Sequence, residues 1–208
     1  MAFDDRIDAG RKLAEDLKER EIDADIVLAI PRGGLPLGRE VADALEAPLD
    51  IVVAKKMGAP HNPELAIGSV ASDGSVWLNE SLIDDLGVDD DYIDDETSNV
   101  AEKARQKLEK YRGEREAPDL EDQTVVIVDD GVATGATAIA CIRLVKEAGA
   151  EKTVLAVPVG SPDTVDMLRG EADEVVAVET PASFRAVGQF YSSFRQVTDD
   201  EAREYLEY

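Results

Sequence analysis

The chain has 208 residues, enough for one α/β domain that buries roughly 70% of the surface its unfolded form exposes. Apolar residues make up 44%, and no run approaches the length a membrane-spanning helix needs. Acidic side chains number 46 against 22 basic, a net charge of −24 that argues against direct binding to DNA or RNA, whose phosphates need basic patches.

Phe3, Ile7, Gly10, Ala14 and Leu17 recur at helical spacing and predict a first helix. A strand is expected at 25–30, a helix over Leu37–Leu45 and a strand over Asp50–Ala54. Residues 55–65 read as a loop rich in glycine and proline. Ala66–Ala71 and Ser75–Leu78 predict a hairpin turning at Asp73-Gly74, with Trp77 packed on it. Ile93, Thr97, Val100, Ala104, Leu108 and Tyr111 mark one face of a long helix. Beyond Pro118 come a strand at 124–128 and a helix from about Ala136 to Glu147, with Gly149 as its C-cap candidate. A strand at 153–158, a short helix at 163–169 and a strand over Glu174–Val178 follow. The tail from Glu179 to Tyr208 is rich in aromatic residues and holds one last helix near Asp199–Leu206. Strands alternating with helices predict a mainly parallel sheet covered on both faces, in a single domain over 1–208 with its core at about 22–178.

The acids are spread through amphipathic segments rather than gathered in a tail. Their densest cluster, Asp84 to Glu96, keeps Leu86, Val88, Tyr92 and Ile93 among them, so a solvated face is expected there rather than a metal trap. Such a surface repels itself at low ionic strength, but in molar salt the screening length falls to about 3 Å. The composition resembles that of proteins from salt-in halophilic archaea. The single cysteine, Cys141, lies in the apolar run Ile139–Val145 and reads as a packing residue. The N-terminal Met-Ala-Phe-Asp-Asp-Arg lacks the basic and apolar regions of a signal peptide, which makes the cytoplasm the expected location.

Three segments carry chemistry. In residues 124–137 a strand apolar at every position from Val125 to Val128 ends in Asp129 and Asp130. A small-residue turn of Ala133, Thr134, Gly135, Ala136 and Thr137 then opens a helix. Free N–H groups at such a turn suit a phosphate, and carboxylates beside it suit sugar hydroxyls. In Ile26–Gly34 a second strand, Ile-Val-Leu-Ala-Ile, is followed by Pro31-Arg32-Gly33-Gly34, where two glycines let the backbone approach an anion and Arg32 adds forked donors. The third is Lys55-Lys56-Met57-Gly58-Ala59-Pro60-His61-Asn62-Pro63-Glu64, which places two of the chain's nine lysines side by side.

In their order these segments resemble the phosphoribosyl-pyrophosphate (PRPP) signature, the pyrophosphate loop and the mobile flap of the type I phosphoribosyltransferases. The resemblance runs through most of the chain. It implies that fold, with a hood from the chain ends over the acceptor. It also implies transfer of 5-phosphoribose from PRPP to a nitrogenous base with release of pyrophosphate. Lys55, Lys56, Arg32, Gly33 and Gly34 would hold the pyrophosphate. Asp129 and Asp130 would hold the ribose hydroxyls, and residues 133–137 the 5-phosphate. Mg²⁺ would come bound to PRPP, touching the protein only through water on Asp129 and Asp130. The Pro31–Arg32 peptide is expected to be cis, as in the family's equivalent loop, and Asp130→Asn is expected to weaken PRPP binding more than it harms the fold. Family members are usually dimers, which implies a homodimer.

His61, the only histidine, reads as an exposed loop residue, although it could shuttle a proton. Phe184 and Tyr191 read as tail anchors, with stacking on a planar acceptor as the alternative. Where 6-oxopurine enzymes carry an aspartate that contacts the base, this chain has Ala133, which speaks against those acceptors. With Pro-Arg-Gly-Gly, a Lys-Lys flap and Ala-Val-Gly-Gln-Phe-Tyr at 186–191, the chain is most similar to predicted phosphoribosyltransferases of unassigned acceptor. The rival reading is a non-catalytic PRPP sensor, against which the Lys55-Lys56 pair speaks.

Overall fold

All-apolar runs become the strands of the central sheet. The computed structural model describes residues 2–207 and, of Glu64, the main chain only. Tyr208 and the Glu64 side chain fall outside the described residues. In chain order the elements are α1 (Arg6–Glu19), β1 (Ile26–Ala29), α2 (Gly34–Leu45), β2 (Leu49–Ile51), β3 (Ala54–Ala59), β4 (Asn62–Ala71) and β5 (Val76–Leu78). There follow α3 (Glu80–Leu86), α4 (Asp90–Arg112), β6 (Thr124–Val128), α5 (Ala136–Glu147), β7 (Lys152–Val159), α6 (Pro162–Leu168), β8 (Glu174–Glu179), a 3₁₀ turn (Val187–Phe190) and α7 (Asp199–Glu204).

Five strands form a parallel sheet in the order β2-β1-β6-β7-β8. Along β6 the pleat sends Val125 and Ile127 to one core, shared with Ile139 and Ile142 of α5. It sends Val126 and Val128 to the opposite core, shared with Leu13 and Leu17 of α1 and Leu37 and Val41 of α2. All four are fully buried, which is why no polar residue fits between them. Truncating Ile127 to alanine would cost about 2–5 kcal/mol. From β1 the chain winds outward to β2, and from β6 it winds the other way through β7 to β8. The sheet's direction therefore switches between β1 and β6, and the loops after these two strands emerge side by side. In open parallel sheets that crevice is where ligands bind.

The segment 50–65 differs from expectation. The strand expected over Asp50–Ala54 ends at Ile51, and residues 55–65 are not a loop but most of a hairpin. Strands β3, β4 and β5 form a separate antiparallel sheet. Met57, Ala59, Ile67 and Val70 are buried against Ile83 and Val100, so the hairpin is fixed by a small core of its own. Glycine and proline serve it as an irregularity rather than as breakers. The register shifts around Gly58, where an added Cβ would lie 2.6 Å from the Cα of Pro63. His61 has φ +65° in the tight turn at the tip. Helix α3, capped by Asn79 on the Leu82 N–H, has no periodic signal long enough to predict it.

Helix α4 spans both layers. Its first half packs on the hairpin sheet through Val100, Tyr92 and Ile93. Its second half packs through Ala104, Leu108 and Tyr111 on Ile51, Val53 and α7. The acidic cluster falls at its start, where Asp89 caps the helix and Asp90 and Asp91 face its positive end, while Lys110 and Arg112 sit in the last turn. The chain ends meet each other: Phe3 pairs with Tyr191 as an isolated parallel bridge. Among the described residues no helix is long and apolar enough to cross a membrane.

Candidate active site

The loop after β1 is drawn tightly onto the end of β6. The Ile30 N–H donates to the Val128 carbonyl at 2.9 Å and the Gly34 N–H to the Ile30 carbonyl at 3.0 Å. The Pro31–Arg32 peptide is cis, as expected. Gly33 and Gly34 serve this approach of protein to protein. A Cβ on Gly33 would lie 2.1 Å from Oδ2 of Asp130, and one on Gly34 would lie 2.5 Å from the Val128 carbonyl oxygen. The side chain of Arg32 pairs with Asp199 of α7, at 3.1 Å.

At the end of β6 the two aspartates part company. Asp129 lines a cleft of about 550 Å³ and accepts the Asp130 N–H at 2.8 Å. Burial, and after it the neighbouring charge of Asp130, pushes its carboxyl well above the usual carboxylate range. Asp130 is held instead by Arg6, whose guanidinium lies 2.7 Å from Oδ2. Burial raises the Asp130 carboxyl and the Arg6 charge opposes the rise. Arg6 also donates to the Arg195 carbonyl at 2.7 Å and lies 3.9 Å from the centre of the Phe194 ring. Tyr191 is buried between Phe3 and Phe194, with its hydroxyl donating to the Asp130 carbonyl at 2.6 Å. That ring anchors the tail. Phe184 packs partly buried on Phe190, with ring centres 5.3 Å apart.

The turn at 133–137 forms an open cup. Gly135 caps α5 at φ +76°, a left-handed backbone in which a Cβ would also meet Met167 at 2.9 Å. Among the described residues no acceptor engages the N–H groups from Ala133 to Ala138, whereas the Val132 N–H before them is bonded to the Val159 carbonyl. From behind, Thr164 donates its hydroxyl to the Ala133 carbonyl at 2.6 Å. Orphan amides at a helix start, with the helix dipole behind them, form an anion site.

The cleft beside this cup runs between the strand ends and α4. It is lined by Pro31, Asp129 and Thr137 below and by Lys55, Lys56 and Gly58 of β3 at the side, with Tyr92, Glu96, Lys103 and Lys107 of α4 above. Lys107 donates to the Pro31 carbonyl at 2.6 Å. Burial, and then the charge of Lys55, pulls its ammonium below the ordinary lysine value. Of the residues expected from sequence, Lys55, Lys56, Asp129 and Thr137 meet in this cleft, and Ala133, Thr134, Gly135 and Ala136 form the adjoining cup. Arg32 and Asp130 are committed to protein partners. His61 is exposed at the hairpin tip, away from the cleft lining.

Sequence reasoning missed Arg6, Lys103, Lys107 and Asp199. A signal existed for two of them: lysines are scarce here, and Lys103 and Lys107 stand one turn apart beside the apolar stripe of α4. Among the described residues no group of three or more His, Cys, Asp or Glu side chains could hold a metal. The Asp129 carboxylate at the cleft floor suits an ion such as Mg²⁺, which keeps most of its water and takes few protein ligands when a phosphate ligand supplies oxygens.

The chain is similar to known proteins over nearly its whole length. The model of the phosphoribosyl transferase domain matches residues 3–194. Two Mycobacterium tuberculosis proteins bearing the name "Putative phosphoribosyl transferase", Rv0571c (strain ATCC 25618 / H37Rv) and MT0597 (strain CDC 1551 / Oshkosh), are each 44% identical over 205 residues. The match takes in 99% of this chain and 46% of theirs, so the chain spans about half the length of these relatives. The crystal structure of TT1426 from Thermus thermophilus superposes with a TM-score of 0.85 at 40% identity, covering 99% of this chain and 98% of that one.

Proposed function

Because the chain belongs to the phosphoribosyl transferase family, whose domain model spans residues 3–194, we propose that it transfers a 5-phosphoribosyl group from PRPP to a nitrogenous acceptor and releases pyrophosphate. The observation that supports this most is the row of orphan amides from Ala133 to Ala138 beside a lysine-lined cleft, at the point where the sheet changes direction. A molecule with one phosphate at one end and two at the other fits such a pair of sites. We further read residues 1–208 as a single catalytic domain acting in the cytoplasm, with the β3–β4 hairpin as the flap.

In this reading the amides and hydroxyls of Ala133, Thr134, Gly135, Ala136 and Thr137 grip the 5-phosphate, and Asp129 accepts from the ribose hydroxyls. Displacement at the anomeric carbon builds negative charge on the departing pyrophosphate and positive charge on the sugar. Lys55 and Lys56, fixed on a strand, meet that charge without reorganising as it develops. The negative charge of Asp129 lies on the sugar side, where it favours the cation-like ribose. Mg²⁺, held by Asp129 through water, would neutralise pyrophosphate oxygens. Asp130 acts through its neighbours: with Arg6 and Tyr191 it fixes the strand end that presents Asp129. Hairpin and α4 together cover the cleft and keep out water, which would otherwise consume PRPP.

Incubation with PRPP, Mg²⁺ and a panel of bases in molar KCl tests the proposal. Pyrophosphate release that depends on one acceptor supports the enzyme. Binding of PRPP without turnover on any acceptor would instead make the protein a PRPP sensor.

A further inference from the structure

Helix α4 brings two lysines to the cleft that the reaction as proposed does not use. Tyr92, Glu96, Val100, Lys103 and Lys107 lie along one stripe of it, all lining the same space. In a chain of net charge −24, most arginines and lysines are ion-paired to a carboxylate. Among the described residues, Lys55, Lys103 and Lys107 are exceptions with no carboxylate in ion-pair contact. Lys103 engages no other protein group there, and Lys107 spends one of its three donors on the Pro31 carbonyl. Burial, and then the charge of Lys55, lowers the proton affinity of Lys107, with Asp129 at the cleft floor opposing the shift. Ammonium donors that no protein acceptor takes up are available to an anion entering the cleft.

The anion must be compact and highly charged. Lys103 and Lys107 are one helical turn apart, about 6 Å, a spacing at which both can face a single diphosphate from above. Lys55 faces it from β3, and Ile30 and Pro31 lie at the floor. Arg32 is paired with Asp199, so part of its charge is met within the protein, and α4 adds to what the loop supplies.

We propose that Lys103 and Lys107 form the roof of a pyrophosphate-binding site that holds free inorganic pyrophosphate without the ribose phosphate. Lys107 also positions the floor through the Pro31 carbonyl. The inference rests on the proposed transferase reading, and it extends the leaving-group site to a helix whose sequence carries no phosphate motif.

Calorimetric titration of the full chain with inorganic pyrophosphate plus Mg²⁺, and separately with ribose 5-phosphate, tests it. The wild-type protein should bind both. Lys103→Gln and Lys107→Gln should each weaken pyrophosphate binding about tenfold or more, the scale of a lost charge-assisted bond, and leave ribose 5-phosphate unaffected. Lys18→Gln, which removes the same charge from the far end of α1, should change neither. Wild-type pyrophosphate affinity in both α4 variants, with ribose 5-phosphate still bound, overturns the roof and leaves the transferase reading standing. Failure of the wild-type protein to bind ribose 5-phosphate counts against the transferase reading itself. Should Lys107→Gln lose the fold, Lys103→Gln decides alone, since that exposed side chain supports no protein contact.

Discussion

Asp199, the first residue of α7, holds the guanidinium of Arg32 at 3.1 Å and so ties the loop after β1 to the tail of the chain. The same carboxylate accepts from Lys110 at 2.6 Å and from the Tyr111 hydroxyl, both on α4. The Lys110 and Tyr111 bonds hold the Asp199 carboxyl well below the usual carboxylate range. A carboxyl lowered on folding contributes stability above its unfolded value, about 3.9, and loses it as the pH falls through the folded value. The junction of α7, α4 and the loop should therefore survive into acid that protonates ordinary aspartates.

Asp199→Asn frees Arg32 to turn toward the cleft. We expect PRPP to bind about threefold tighter, in line with release from one exposed ion pair, and the protein to melt at a lower temperature because α7 is held less firmly. Calorimetry and thermal melting check the two effects. Weaker PRPP binding would mean that Asp199 presents Arg32 rather than withholding it.

The adjacent aspartates should respond oppositely to the same change. Asp129 is half-buried at the cleft floor and desolvation raises its carboxyl, so its charge opposes folding at pH values above the unfolded value of about 3.9. Asp129→Asn should raise the melting temperature at neutral pH, the gain fading in acid where both states are protonated, and should abolish PRPP binding. A melting temperature unchanged at neutral pH would contradict the burial argument.

Asp130→Asn leaves the Arg6 charge buried without its counter-ion, with Arg6 only 11% exposed. We expect a loss on the order of 3 kcal/mol in stability, measured by denaturant unfolding. The sequence alone leads one to expect a change felt in binding more than in the fold. The structural reason for the difference is Arg6, which lies more than a hundred residues away and is marked by no motif.

Gly33→Ala probes the contact between the two ligand loops. The residue has φ −61°, so alanine brings no backbone strain, but its methyl group would meet the Asp130 carboxylate at 2.1 Å. Overpacking of this kind costs about 1–3 kcal/mol. PRPP affinity should fall about tenfold as the end of β6 shifts, in a chain that still folds. Unaltered affinity would show that the loop and the strand end move independently.

Much of the fold was legible because periodicity reports burial. Val125–Val128 had to be a doubly covered strand, and the small residues of 133–137 had to open a helix. The hairpin was not legible, because Gly58, Pro60 and Pro63 signal breaks while the pairing that overrides them depends on Met57 and Ile67 reaching α4. In the site, the residues within one motif were legible together. Those brought in from other elements, Arg6, Lys103, Lys107 and Asp199, were not, because only the tertiary fold gives them a common neighbour.

The account stands most directly on one titration: PRPP with Mg²⁺ into the folded protein in molar KCl, followed by calorimetry. One equivalent should be taken up, with the binding lost in Asp129→Asn. A folded protein that takes up no PRPP under these conditions would contradict the central claim.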